Sequence, residues 1–217
     1  MISVLRKRLR REDGFSVIEL SVAMILSSLI AASLMTVFYS FSSNSGDLTA
    51  KSNVQADARA VISEQVVEIR QAIRADLNAD AVESLSEGKL AFYTQNYVTA
   101  EIERVVYERK DCVGDECELW VYKYALESFD GIVSTFEATP YESSFLMGHI
   151  LLDQPMFVGI VLEGDPLAVV ETSACDGGSV PCDFPVVSIT LRARPHPTTG
   201  GASTPVELHE EVRIRSA

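Results

Sequence analysis

Between Leu20 and Phe41 the chain runs for 22 residues without a charge, a proline or a glycine. About 20 helical residues cross the hydrocarbon core of a bilayer, so this run is long enough to span one. Ahead of it stand Arg6, Lys7, Arg8, Arg10 and Arg11, then the step Glu12-Asp13-Gly14. The apolar character begins at Phe15 and is broken by a single charge, Glu19. Ser21, Ser27, Ser28, Ser33, Thr36 and Ser40 do not exclude membrane residence, because a helical hydroxyl can bond the carbonyl one turn earlier. A basic flank stays on the cytoplasmic side, which places the C-terminal part of the chain outside.

Three readings compete for this segment. A secretory signal would use Val17–Ile30 as its apolar core and be cut near Ala31-Ala32-Ser33. A plain signal anchor would keep the whole run. Neither gives a reason for Glu19, a carboxylate costing about 2–3 kcal/mol if carried to mid-bilayer. A twin-arginine signal fits poorly, since Arg10-Arg11 is followed by Glu12-Asp13 and not by an apolar stretch. The third reading rests on Gly14-Phe15-Ser16-Val17-Ile18-Glu19-Leu20. Together with the basic leader and the charge-free run, this segment resembles the prepilin cleavage and methylation motif of type IV pilins and type II secretion pseudopilins.

That resemblance covers about 25 of the 217 residues, and it implies the following. A prepilin peptidase cuts between Gly14 and Phe15 and methylates the new amine. The Phe15 amine then pairs in lipid with Glu19 of a neighbouring subunit, where an unpaired charge is costly. The expected domains are a leader (1–14), a transmembrane assembly helix (15–41), its amphipathic continuation (42–80) and an antiparallel β-rich body (81–217). The implied partners are the peptidase, other pilin or pseudopilin subunits, the inner-membrane assembly platform and membrane lipid. The implied location is the cytoplasmic membrane, single-pass with the body outside, and then a cell-surface filament or periplasmic pseudopilus. The family helix usually carries a proline where Thr36 stands, a departure that favours a minor role. The alternative is a membrane-anchored binding module, or a secreted enzyme, using residues 17–41 as an ordinary signal anchor.

Downstream, Ser42-Ser43-Asn44-Ser45-Gly46-Asp47 reads as a helix break. Val54, Ala58, Val61, Ile62, Val66, Ile69, Ile73 and Leu77 then recur at helical spacing opposite Asp57, Glu64, Glu68, Gln71 and Asp76, an amphipathic helix packed on a sheet. Strands are expected at Lys89–Tyr97, at Ala100–Lys110 and Glu118–Tyr124 around a loop of several residues (Asp111–Cys117), and at Met156–Leu162. The clearest pair is Val186–Arg194 with Val206–Arg215, where apolar and polar residues alternate with period two. A helix followed by hairpins without βαβ alternation makes the class α+β, pilin-like in arrangement. The hairpin Val105–Tyr124 and the final Val187–Ile214 pair look like those of J-type pseudopilins and W-type minor pilins.

Four cysteines allow three pairings; the local ones, Cys112 with Cys117 and Cys175 with Cys182, are favoured for an exported chain. Zinc is the competitor, but no histidine lies near either pair and the spacings are C-x₄-C and C-x₆-C. His149, His196 and His209 form no zinc pattern, and neither a nucleophile elbow nor a phosphate-binding loop is present, so no catalytic residue, metal or cofactor is assigned. The acidic stretch Asp111–Glu116 offers oxygens to calcium but lacks the EF-hand order, and a solvated turn is expected. Without residues 1–14 the chain has 13 basic and 29 acidic residues, a net of -16. Such a body repels nucleic acid. Arg192, Arg194, Arg213 and Arg215 are expected to pair with neighbouring acids such as Glu207 and Glu211, and not with phosphates.

Overall fold

The computed structural model describes residues 16–76, 79–163, 168–176, 182–195 and 204–214. They form a long helix, α1 (Val17–Arg70), and ten strands. The strands are β1 (Val82–Ser86), β2 (Lys89–Gln95), β3 (Ile102–Val113), β4 (Glu116–Phe129) and β5 (Ser134–Phe136). They continue as β6 (Glu142–Leu151), β7 (Phe157–Glu163), β8 (Ala168–Thr172), β9 (Val186–Ala193) and β10 (Val206–Arg213). The chain divides into two compact units at Gly46/Asp47. The first is the N-terminal part of α1. The second is the body, an α+β unit in which the rest of α1 packs on the sheet.

In the body every strand pairing is antiparallel, and the order is β1-β2-β3-β4-β6-β9-β7-β8, with β10 on β9 and β5 on β4. Strand β9 has β10 along one side for its whole length and β7, then β6, along the other. The sheet curls until its ends meet: Leu85 of β1 exchanges both backbone hydrogen bonds with Cys175, just past β8 (3.0 and 2.8 Å). The Cys175–Cys182 pair sits at this junction, and Cys112–Cys117 lies beside the β3–β4 turn; both are at disulfide distance.

The concave face is filled by Ala58, Val61, Ile62 and Ile69 of α1 against Phe92, Tyr107, Leu119, Ile150, Ile189 and Leu191. The last strand pair matches its pattern, since Val187, Ile189, Leu191 and Ala193 are all fully buried. Gln65 lies within this apolar face of α1 at 0% exposure, and neither its amide oxygen nor its nitrogen has a hydrogen-bond partner. A buried polar group left unpaired costs about 1–3 kcal/mol. Gln65→Leu, close in volume, is therefore expected to stabilise the body by about that much, read as a raised urea midpoint at unchanged slope. A lowered midpoint would mean that the amide is satisfied in solution.

Several sequence expectations are corrected. Helix α1 does not break at Ser42–Asp47. Serine, asparagine and glycine cost only tenths to about 1 kcal/mol each inside a helix, less than nucleating a second one. The helix ends at Arg70 and not near residue 80. The bonds from Gln71 N–H to the Glu68 carbonyl and from Ala72 N–H to the Ile69 carbonyl tighten the last turn, and the Ile73 N–H is then taken by the Tyr93 carbonyl of β2 (2.8 Å). Leu77 lies outside the described residues. The expected loop Asp111–Cys117 is instead a two-residue turn, Gly114-Asp115, with Val113 opposite Glu116. Gly114 sits at φ +68, where a side chain is disfavoured, and a register shift with Asp111 at φ +51 absorbs the extra residue. Strands β1, β5, β6 and β8 were not expected. The central one, β6, shows no clean alternation because it pairs with β4 through two register shifts and carries His149 at φ +59.

Candidate functional site

The first unit carries the candidate site. From Ser16 to Ser45 every residue is exposed, and the apolar side chains of this stretch include Val17, Ile18, Leu29, Leu34, Phe38 and Phe41. Among the described residues one helix is thus long and apolar enough to cross a membrane, and its apolar window is 0% buried. This is compatible with a single-pass anchor. The 22 residues from Leu20 to Phe41 rise about 33 Å at 1.5 Å per residue, a full hydrocarbon thickness. Its hydroxyls are returned to its own backbone: Ser21 donates to the Val17 carbonyl, Ser28 to Ile25, Ser33 to Ile30 and Thr36 to Ser33, all at 2.7–2.8 Å. These four hydroxyls are thereby satisfied without water.

Gly14 and Phe15, the two residues of the expected cut, lie outside the described residues. Glu19 is described, in the first turn of α1. Its Oε2 accepts the Ser16 N–H (3.4 Å), while the Ser16 Oγ accepts the Ile18 N–H (3.3 Å). Ser16-Val17-Ile18-Glu19 is a capping box: serine at the cap and glutamate three residues on satisfy two orphan donors reciprocally. The carboxylate also lies at the positive end of the helix dipole. The pattern S-x-x-E was readable in the sequence and supplies a second reason for Glu19.

The other singled-out residues sit in the body, engaged with one another. At the β3–β4 turn, Arg194 donates to Glu116 Oε1 (2.6 Å) and Asp115 Oδ2 (3.0 Å), and Glu116 Oε2 meets His149 Nδ1 (2.7 Å). The hydrogen bond from His149, with Arg194 behind it, holds the Glu116 carboxyl below its usual value of 4.5, and Arg194 holds Asp115 below 3.8. Depressed carboxylate pKa values add stability that is present above those usual values and lost as pH falls through the lowered ones. The stability advantage of wild type over Arg194→Gln is therefore expected above about pH 4.5 and should shrink toward zero below it in urea titrations. An advantage that persisted at pH 2 would deny the network this role.

Arg192 bridges to Asp153 and reaches Glu207 (3.7 Å). So Arg192 and Arg194 are taken by acids, as expected, but mostly by Asp153, Asp115 and Glu116 from other segments and not from the neighbouring strand. His209, half exposed, meets Thr190 Oγ1 (3.0 Å). His196 and Arg215 lie outside the described residues. Among the described residues no group of three or more His, Cys, Asp or Glu side chains is placed to hold a metal ion. In the comparisons with known proteins, no family model, no curated protein and no solved structure matches the chain.

Proposed function

We propose that the chain is a minor pilin or pseudopilin: a structural subunit cut between Gly14 and Phe15, held in the membrane by the N-terminal part of α1, and assembled with other such subunits into a type IV pilus or a type II secretion pseudopilus. The observation that carries this reading is the first unit itself. It is an apolar helix with all of its faces bare, whose first turn lies within the motif and holds one carboxylate, Glu19. A helix bare on every side needs lipid or other helices around it. In this reading the methylated amine of Phe15 and the Glu19 carboxylate of a neighbour set the axial register of subunits, and the body is displayed outside, where it caps or initiates the filament. No chemistry is assigned to the body; Arg192, Arg194, Glu116 and His149 are engaged in ion pairs and hydrogen bonds.

A second reading has one observation in its favour. Because Glu19 closes a capping box, a plain signal anchor also has use for it. The N-terminal sequence and mass of the mature protein from its own membrane separate the two. N-methylated Phe15 is expected. An intact Met1 would leave an ordinary anchored module, and a start near Ala32 would leave an exported protein without an anchor. Processing should also fail in a host lacking prepilin peptidase.

A further inference from the structure

The body is polarised along the β3–β4 pair. One end, at the Gly114-Asp115 turn, is the charge network around Arg194. The other end carries two short loops, Asn96–Ala100 between β2 and β3 and Asp130–Val133 between β4 and β5. They project from the same end because Glu103 at the start of β3 pairs with Ala125 of β4, four residues short of Phe129. The segment that follows α1 also reaches this end, where Ser134 beside the β4–β5 loop bonds the Ala75 carbonyl (2.9 Å) and Asp76 (3.1 Å).

Both loops present apolar side chains to solvent. Val98 is 93% exposed, Tyr97 76%, Ile132 58% and Phe129 55%. Neither loop is loose in its bonding. The Asn96 Oδ1 accepts the N–H groups of Val98 and Thr99 (2.9 and 3.2 Å), and the Asn96 side chain donates to Glu103, which also accepts the Tyr141 hydroxyl. The Asp130 Oδ1 accepts the N–H groups of Ile132 and Val133 (2.9 and 2.8 Å). The side chains are held outward by a preorganised backbone, which lowers the ordering cost of binding.

Charge decides what such a surface accepts. Segments 95–103 and 124–142 contain Glu101, Glu103, Glu127, Asp130, Glu137 and Glu142 and no lysine, arginine or histidine. Glu101, Glu127, Asp130, Glu137 and Glu142 are exposed. Of the adjoining bases, Lys123 is engaged by Glu68 and Arg104 by Glu83, while Arg70 and Arg74 near the end of α1 are exposed. With Arg70 and Arg74 counted, the rim around the apolar tip is acidic in balance, and that balance disfavours anionic lipid and a second copy of itself.

We propose that this end of the body is a docking surface for a protein partner that presents apolar side chains ringed by lysine and arginine. The proposal does not depend on how the anchor is processed. Its probe is a synthetic 14-residue amphipathic helix of Leu and Lys, compared with its Leu–Glu counterpart, added to the full chain in zwitterionic nanodiscs and followed by fluorescence anisotropy. The Leu–Lys peptide is expected to bind and the Leu–Glu peptide not to. Val98→Ser with Ile132→Ser should weaken binding at least about tenfold, the order expected for losing hot-spot contacts. Glu127→Gln with Glu142→Gln should weaken it and flatten its salt dependence. Val113→Ser, an equally bare residue at the opposite end, should change nothing. Binding that ignores both tip variants would overturn the proposal, as would no binding at all. Tip-dependent binding to anionic vesicles, or tip-dependent self-association, would likewise overturn it in favour of a membrane or a second copy.

Discussion

Glu19→Ala and Glu19→Gln are both expected to leave cells without filaments, while cleavage after Gly14 continues. The pair of variants matters because the residue has two candidate roles. As the last residue of a capping box, three after the cap, it accepts the Ser16 N–H, and glutamine serves a capping box nearly as well as glutamate. Loss of a cap to alanine costs about 0.5–2 kcal/mol. As the partner of a neighbour's Phe15 amine it neutralises a charge in lipid, and removing one member of such a buried pair costs about 3–5 kcal/mol. That corresponds to a loss of roughly a hundred- to a thousandfold or more at each subunit contact. Sheared or periplasmic filament, quantified by immunoblot beside the cleaved subunit in membranes, reads the difference. Wild-type filament from Glu19→Gln, with loss only in Glu19→Ala, would reduce Glu19 to a cap and remove the charge from the assembly argument.

Glu68→Ala is expected to destabilise the body by about 3 kcal/mol. Glu68 leaves α1 toward the sheet and accepts from two strands at once, from the Tyr107 hydroxyl of β3 and from Lys123 Nζ of β4 (3.0 Å). Burial, and then the neighbouring Glu68 carboxylate, push the Tyr107 hydroxyl well above its usual value of 10.0, so the phenol stays protonated as the donor. Burial pulls Lys123 down, but the Glu68 carboxylate outweighs it and the ammonium is held above its usual value. Truncation leaves a phenol and a half-buried cation without their acceptor, a penalty larger than the net worth of the contacts. Glu68→Gln keeps a carbonyl for Tyr107 and loses only the charge, so a smaller drop is expected. Lys123→Met in the Glu68→Ala background should recover part of the loss. Urea unfolding of the body signal measures all three; a cost below about 1 kcal/mol for Glu68→Ala, the range of surface pairs, would show that water replaces the carboxylate.

Much of the architecture was legible in the chain. The β9–β10 pair declares itself because Val187, Ile189, Leu191 and Ala193 sit on one face with polar residues on the other, and period two admits one register. The β3–β4 hairpin was visible from its strands, though its turn is tighter than the spacing of Cys112 and Cys117 suggested. Strand β6 was not visible. Phe145, Met147 and Ile150 do not alternate cleanly, because the strand slips register twice against β4 and His149 takes positive φ. The end of α1 was missed for a similar reason: the apolar spacing continues to Ile73, yet that residue's N–H is claimed by Tyr93. At the candidate site the opposite holds. Ser16 and Glu19 announce the cap by spacing alone, since capping is a contact within one turn.

By itself, then, the sequence determined what is local or periodic: the charge-free run and the buried face of β9, and it favoured the two local cysteine pairs. These depend on residues within a turn or a pleat of one another. Only the tertiary structure decided that Gln65 is buried without a partner, that Glu68 joins α1 to two strands, and that β1 closes on Cys175. It also decided that loops about 30 residues apart bring Val98 and Ile132 to the same end of the sheet. Each of these joins residues distant in the chain, and no periodicity records which distant strand a side chain will meet.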